Sequence, residues 1–331
     1  MSPEKERKES FVTEDSEEGA RIDVALTLRL PDVSRAQAKR WIEEGRVTVE
    51  GRPVRPSRIC RGGERVEISI PPPAPATPVP EAIPLDILYE DRHIVVVNKS
   101  AGMVVHPAPG HASGTLVNAL LAHSTDLSGI GGVMRPGIVH RLDSGTSGVL
   151  VVAKNDRSHR ALQAQFQKRT VTKVYLALAH GTTRERFVID RPIGRDVQNR
   201  TKISSRTRTP REATSEVKRL EQLPCCSLLE IRILTGRTHQ IRVHLSEEGH
   251  PLVGDRDYGA PGPIPRLPAR EKRAFRLLRD FGRPALHASR LEFQHPDTGE
   301  TMCFEAPLPD DITRLLDELR AIRDEEEMQG G

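Results

Sequence analysis

The segment that most restricts how this chain can fold is PPPAPATPVPEA, residues 71–82, with six prolines in twelve positions. Proline has no amide hydrogen and holds φ near a single value. Such a run therefore enters neither a helix interior nor a central strand, and reads as an extended, semi-rigid spacer. The chain is expected to divide around it into a small unit and a larger body. Its 331 residues agree, being more than one small domain usually needs.

The expected divisions are a disordered tail over residues 1–18, a compact basic unit over 19–70, the spacer over 71–82 and a body over 83–325. The tail MSPEKERKESF is charged and has almost nothing to bury. It lacks an apolar signal region, and no run approaches transmembrane length, so a cytoplasmic protein without membrane contact is expected. In the basic unit, Ile22, Val24 (or Ala25) and Leu28 predict a first helix. Ser34 is the expected N-cap of a second, Arg35 to Glu44, stopped by Gly45. Short strands follow at 47–49 and 65–70. Arg35 and Lys39 lie one turn apart with Arg40 beside them, and Arg46 and Arg52 follow in the turns. Such a face suits RNA phosphates. It equally suits a solvated helix surface, because Glu43, Glu44 and Glu50 dilute it. The net charge of +4 fits nucleic acid and many ordinary enzymes alike.

In the body, 87–89, 94–97, 174–179, 227–233 and 291–294 read as strands, and 116–123 and 158–167 as helices. The order is that of an α+β fold with a mixed sheet, not of regularly alternating βα units. Ile312, Leu315, Leu316, Leu319 and Ile322 make one apolar face of a last helix. Arg195 to Arg211 is expected to be a flexible basic loop, with Arg195, Arg200 and Lys202 available to an RNA backbone. The stretch 261–279 is a second proline- and arginine-rich insertion.

Chemistry concentrates at HRLDSGTSG, residues 140–148, before the β-branched run 149–153. One carboxylate, Asp143, stands in a glycine-punctuated turn beside Arg141, with no second acid for paired-carboxylate catalysis. A lone ionised Asp can act as a nucleophile. An Asp near Gly and Ser is also a common turn residue. No P-loop, dinucleotide fingerprint or recurrent metal spacing occurs, so neither cofactor nor metal is expected. The four cysteines form no C-x-x-C pair, and one of Cys225 and Cys226 is expected in the core. His106, His111, His140, His239 and His244 are expected to make structural hydrogen bonds.

GIVHRLDSGTSGVLVVAK (137–154) resembles the signature of the RluA/RluD-type pseudouridine synthases. The resemblance extends through PLDILYEDRHIVVVNKSAGMVVHPAPGH, GTLVNALLAH, TKVYLALAHG, TGRTHQIRVHL, HPLVGDRDYG and ALHASRLEFQHP, in the family's order over about 84–309. SRAQAKRWIEEGRVTVEGRPV resembles an S4 RNA-binding domain. The resemblance implies a mixed, mainly antiparallel catalytic sheet behind a small N-terminal S4 domain. It implies isomerisation of uridine in RNA without a cofactor. Asp143 is then the essential residue, by attack on ribose C1′, attack on the uracil ring, or proton abstraction from C2′. Arg242 is expected to pair with Asp143 through a two-point fork, and Tyr175 to stack on the base. Arg141 is expected to fill the place of an extruded uridine or to hold a phosphate. The S4 unit together with HPAPGH, LSGIGG and RPGIVHRLD is similar to RluD-type enzymes, which implies large-subunit ribosomal RNA, or its precursor particle, as partner. Ser144-Gly145 departs from the family, whose members often carry a charged residue after the Asp. The departure bears on the target more than on the chemistry. The same chemistry on other rRNA or tRNA sites, or a non-catalytic S4-type assembly factor, are the alternatives.

Overall fold

The computed structural model describes residues 7–30, 33, 35–70, 78–107, 111, 113–124, 137–199, 201–259 and 269–330. It forms two compact units, Met1–Ala76 and Thr77–Gly331. Residues 71–77 of the proline-rich spacer, Ser34, residues 108–110 of HPAPGH and all of LSGIGG lie outside the described residues.

The first unit packs two helices, α1 (Ile22–Arg29) and α2 (Arg35–Glu43), on an antiparallel sheet. Its strands are β1 (Arg7–Val12), β2 (Val47–Val49), β3 (Arg52–Pro53) and β4 (Arg65–Ile70), in the order β1-β4-β2-β3. Ile22, Ala25 and Leu26 meet Trp41, Ile42, Val66 and Ile68 in its core. Leu28, expected on the buried face of α1, is 65% exposed, because the i, i+3, i+4 stripe from Ile22 runs through Ala25 and Leu26 instead. The expected disordered tail is corrected as well. Residues 7–12 pair along their whole length with 65–70, and Phe11 packs on the core. The local composition is polar, but β4 offers a free edge, and a ladder plus one aromatic contact suffices.

The second unit is built on β5 (Ile87–Glu90), β6 (Ile94–Lys99), β7 (Ser147–Ala153), β8 (Thr172–His180), β9 (Arg186–Asp190), β12 (Thr214–Leu223), β13 (Cys226–Ile233), β14 (Leu286–Gln294) and β15 (Thr301–Glu305). The sheet runs β5-β6-β7-β14-β8-β13-β12-β9, with β15 also on β14, and only β7 and β14 are parallel. It is thus mixed and mainly antiparallel. A small hairpin, β10 (Gly194–Arg195) and β11 (Ile203–Ser204), stands apart. The helices are α3 (Leu116–His123), α4 (Asp156–Lys168), α5 (Gln240–Glu247), α6 (Ala269–Asp280) and α7 (Asp310–Gly330). In α7, Ile312, Leu315, Leu316, Leu319 and Ile322 are buried, the face the sequence predicts. Among the described residues no helix is long and apolar enough to cross a membrane.

The two-residue period of the strands sorts side chains onto two cores. On β7, Leu150 and Val152 join Tyr175 and Ala177 of β8 on one face, while Val149, Val151 and Ala153 join Leu162 of α4 on the other. Both faces of β7 are therefore buried, which explains its unbroken apolar run. Gly148 makes the parallel junction possible. Its φ is +115°, and a Cβ there would lie 2.2 Å from the Ala288 carbonyl oxygen. Gly148→Ala is expected to destabilise the body by about 3 kcal/mol or more, from strain and overpacking together. A denaturant midpoint unchanged by this substitution would contradict that reading of the junction.

Candidate active site

Asp143 lies in the turn that delivers the chain into β7, and backbone groups fix this turn from several sides. The Thr146 amide donates to the Asp143 carbonyl at 3.1 Å, and the Gly102 amide to the Ser144 carbonyl at 2.8 Å. The Lys99 ammonium, 1% exposed, donates to the carbonyls of Ser100, Met103 and Ser144 at 2.8, 2.9 and 3.3 Å. Burial pushes its pKa down to about 7, opposed by the nearby Asp143 carboxylate. Arg283 donates Nη1 to the Gly145 carbonyl at 3.0 Å, and its other edge grips Asp311 at the start of α7 with two bonds of 2.7 Å. The turn is thus tied to β6 and to the last helix, which fixes the backbone from which the Asp143 side chain projects.

The carboxylate opens into a shallow cleft, about 100 Å³ of it accessible to water-sized groups, lined by Arg141, Leu142, Thr146, Tyr175, Ile233, Arg237, His239, Ile241, Arg242 and Leu286. That mixture suits a small planar group held on apolar walls by a few polar ones. Tyr175 on β8 presents an almost buried ring. Burial and the negative charge of Asp143 push its hydroxyl above the ordinary phenol range, so at neutral pH it is a donor and not a base. Arg141 is exposed at the rim and has no partner among the described residues. The buried Thr146 hydroxyl also lacks a hydrogen-bond partner there.

Arg242 requires a correction. It sits on α5. Its fork does not grip Asp143. Nε and Nη2 donate to the fully buried Asp255 at 2.6 and 2.7 Å, and Nη2 also to Asp257 at 2.7 Å. Only Nη1 faces the Asp143 carboxylate, at 3.8 Å. A buried carboxylate needs a fixed cation more than a half-exposed one does, and Asp255 completes its shell with the Asp257 and Tyr258 amides. The result is a guanidinium locked from behind with one edge turned to the cleft. Asp255 and Asp257 were legible only as the acids of GDRDYG, with nothing local to pair them with α5.

Among the histidines, His140 and His244 have structural roles. The His140 ring accepts from the Val151 amide at 3.1 Å and stacks on Phe166. Burial pushes its pKa down to about 3. His244 bridges Ser215 and the Arg191 carbonyl. His239 likewise makes a structural hydrogen bond, Nδ1 to Tyr258 at 2.8 Å, and in addition its Nε2 lies 3.9 Å from the Asp143 carboxylate. The cysteines are free, with Cys226 in the core.

The expected flexible loop 195–211 contains the β10–β11 hairpin instead. Ser204 and Arg206 serve Asp196 inside it, and it docks through Ile203 on Tyr258 and Ser205 on Glu247. Lys202 donates to the Asp257 carbonyl at 2.5 Å, next to the site, whereas Arg200 lies outside the described residues. Arg195 is exposed on the hairpin. On the separate N-terminal unit, Arg35, Lys39 and Arg40 are exposed on α2 and Arg52 on β3. Each cation of α2 has an acidic companion. Arg35 binds the buried Asp23 at 3.0 Å, and Lys39 and Arg40 face Glu43 and Glu44 at 3.7 and 3.8 Å. Arg46 pairs with Glu44 at 2.8 Å. The exposed pairs of Lys39 and Arg40 are weak and leave those cations available to phosphates.

An acidic turn, a tyrosine and a buried arginine around one cleft in a mixed sheet, with a small basic unit ahead of it, define a class. The chain belongs to the RNA pseudouridine synthase family and is by that membership an RNA-modifying isomerase. Residues 93–247 match the RNA pseudouridylate synthase family model, and residues 20–66 match the S4 domain model. It is 45% identical to the uncharacterized RNA pseudouridine synthase YlyB of Bacillus subtilis over 92% of this chain and 96% of that one. It is 43% identical to the ribosomal large subunit pseudouridine synthase D of Pseudomonas aeruginosa, over 92% and 94%. Among solved structures, human RNA pseudouridylate synthase domain containing 4 matches 71% of this chain and 93% of its own, with 25% identity and a TM-score of 0.55.

Proposed function

We propose that this protein isomerises specific uridines of large-subunit ribosomal RNA, with Asp143 as the reacting carboxylate. The observation that carries this reading is the placement of Asp143 beside the free edge of Arg242 and the ring of Tyr175 in one cleft. Pseudouridine formation breaks the bond between ribose C1′ and uracil N1, turns the ring and rejoins it through C5. The ring must leave its stack, at a cost of about a few kcal/mol. Tyr175 and the apolar walls offer a new stacking surface, and Arg141 at the rim can fill the vacated place. Arg242 turns its Nη1 edge to the Asp143 carboxylate, at 3.8 Å. The ribosomal target rests on the resemblance to the large subunit enzymes.

Lys173 supports an RNA backbone at the same cleft. Its half-buried amine has no partner among the described residues and lies 3.9 Å from where a Cβ on Gly236, a cleft residue, would stand. Burial first, then the Arg169 and Arg237 cations, push its pKa down to about 8. A phosphate would relieve that repulsion. Lys173→Gln is expected to lower the slope of log affinity against log salt by about 0.7. The affinity due to Lys173 should fall as pH rises through 8, because only the protonated amine attracts phosphate. A slope equal to wild type at pH 7 would remove Lys173 from the RNA path. The proposed target itself is tested by mapping pseudouridine in large-subunit RNA, with and without the protein. New pseudouridine only in tRNA, or in small-subunit RNA, would reassign the target.

A further inference from the structure

His239 precedes α5 in a left-handed conformation, φ 55° and ψ 20°. A non-glycine residue held there costs about 1–3 kcal/mol and persists only where its surroundings impose it. A chain of hydrogen bonds ties the His239 ring to the β10–β11 hairpin. The Ile203 amide on β11 donates to the Tyr258 hydroxyl oxygen at 3.0 Å. The same oxygen lies 2.8 Å from His239 Nδ1. A phenol has one proton to give. The Ile203 amide already occupies an acceptor position on that oxygen, which leaves the phenol proton free to point to Nδ1. Burial keeps both groups neutral, raising the pKa of Tyr258 and lowering that of His239. A neutral imidazole that accepts at Nδ1 carries its proton on Nε2. Nε2 looks into the cleft, 3.9 Å from the Asp143 carboxylate, too far for a direct hydrogen bond.

We propose that His239 donates its Nε2 proton in a hydrogen bond to a uracil carbonyl oxygen, and that Tyr258, braced by the β10–β11 hairpin, is the positioning residue that fixes this tautomer. The inference rests on the isomerase reading above. When the bond from C1′ to N1 breaks, its electron pair leaves with the ring and spreads onto the carbonyl oxygens. A donor fixed before the reaction stabilises that charge without reorganising. Arg242 and Lys202 lie over the Tyr258 ring at 4.9 and 5.9 Å, so the same tyrosine joins the basic hairpin to the reacting carboxylate.

Two measurements test it. The first is the ¹⁵N spectrum of the His239 ring in the full-length protein without RNA. It should show Nδ1 unprotonated and Nε2 protonated in wild type, and a mixture of tautomers in Tyr258→Phe. A protonated Nδ1 in wild type overturns the proposal, whatever the activity of the enzyme. The second is single-turnover isomerisation by His239→Gln and His239→Asn. Gln places an amide N–H near the Nε2 position, whereas Asn places it near Nδ1. Asn is expected to lose about 10²-fold in rate at unchanged RNA affinity, and Gln about tenfold or less. Equal losses in the two variants would overturn the donor role. Absence of isomerisation by wild type, with the expected tautomer present, would overturn the isomerase reading instead.

Discussion

Asp143→Asn is expected to slow uridine isomerisation by about 10⁴-fold or more while the protein stays folded. The expectation follows from how the turn is held. Its backbone is bonded by Gly102, Lys99, Arg283 and Thr146, none of which touches the Asp143 carboxylate. Replacing one carboxylate oxygen by an amide nitrogen leaves those bonds intact. Removing the charge does not orphan Arg242, which keeps Asp255 and Asp257. RNA affinity, set mainly by phosphate contacts, should change by about threefold at most. Single-turnover kinetics beside a filter-binding assay would check both halves. Retention of even a few per cent of the wild-type rate would take Asp143 out of the reaction.

Arg242→Lys is the second large effect, and it should appear in stability as well as in rate. An ammonium keeps the charge but loses the planar edge that meets Asp255 through Nε and Nη2. Asp255 is fully buried, and breaking one partner of a buried pair costs about 3–5 kcal/mol. For a body of this size the melting temperature should fall by about 6–20 °C. The rate should fall by about 10²-fold, because Nη1 no longer faces the carboxylate. Asp257→Asn provides the contrast. Its side chain is 64% exposed, so its loss should cost about 1 kcal/mol or less. A lysine variant as stable as wild type would show that the lock between Arg242 and Asp255 is not what holds α5.

Much of the fold was legible wherever a local pattern met a local rule. The helix at 116–123 begins at the residue the pattern gives, and its capping box of Thr115 and Asn118 explains why. The run after Gly148 reads as a strand because it is apolar and mostly β-branched, and the structure buries every residue of it. The motif around Asp143 located the cleft. What escaped was non-local. Three residues around Arg242 fit either a strand or a helix, so periodicity had too little length to separate them. The true partner of Arg242 stands thirteen residues further on in a separate turn, and only the need to neutralise a buried cation indicates it. β1 escaped because its partner strand begins about sixty residues later and its own composition is that of a solvated tail. His239 was read as a structural histidine, and Tyr258, which turns it toward the cleft, forms no recognisable pattern with it.

The measurement that tests the central claim most directly is release of tritium from large-subunit rRNA labelled at uracil C5, with full-length wild-type protein. Isomerisation moves the glycosidic bond to C5 and expels the label to water, so the account predicts release with the RNA chain intact and no free uracil. Free uracil would indicate glycosidic cleavage without rejoining. No release from rRNA, from tRNA or from precursor particles would contradict the claim that this cleft isomerises uridine.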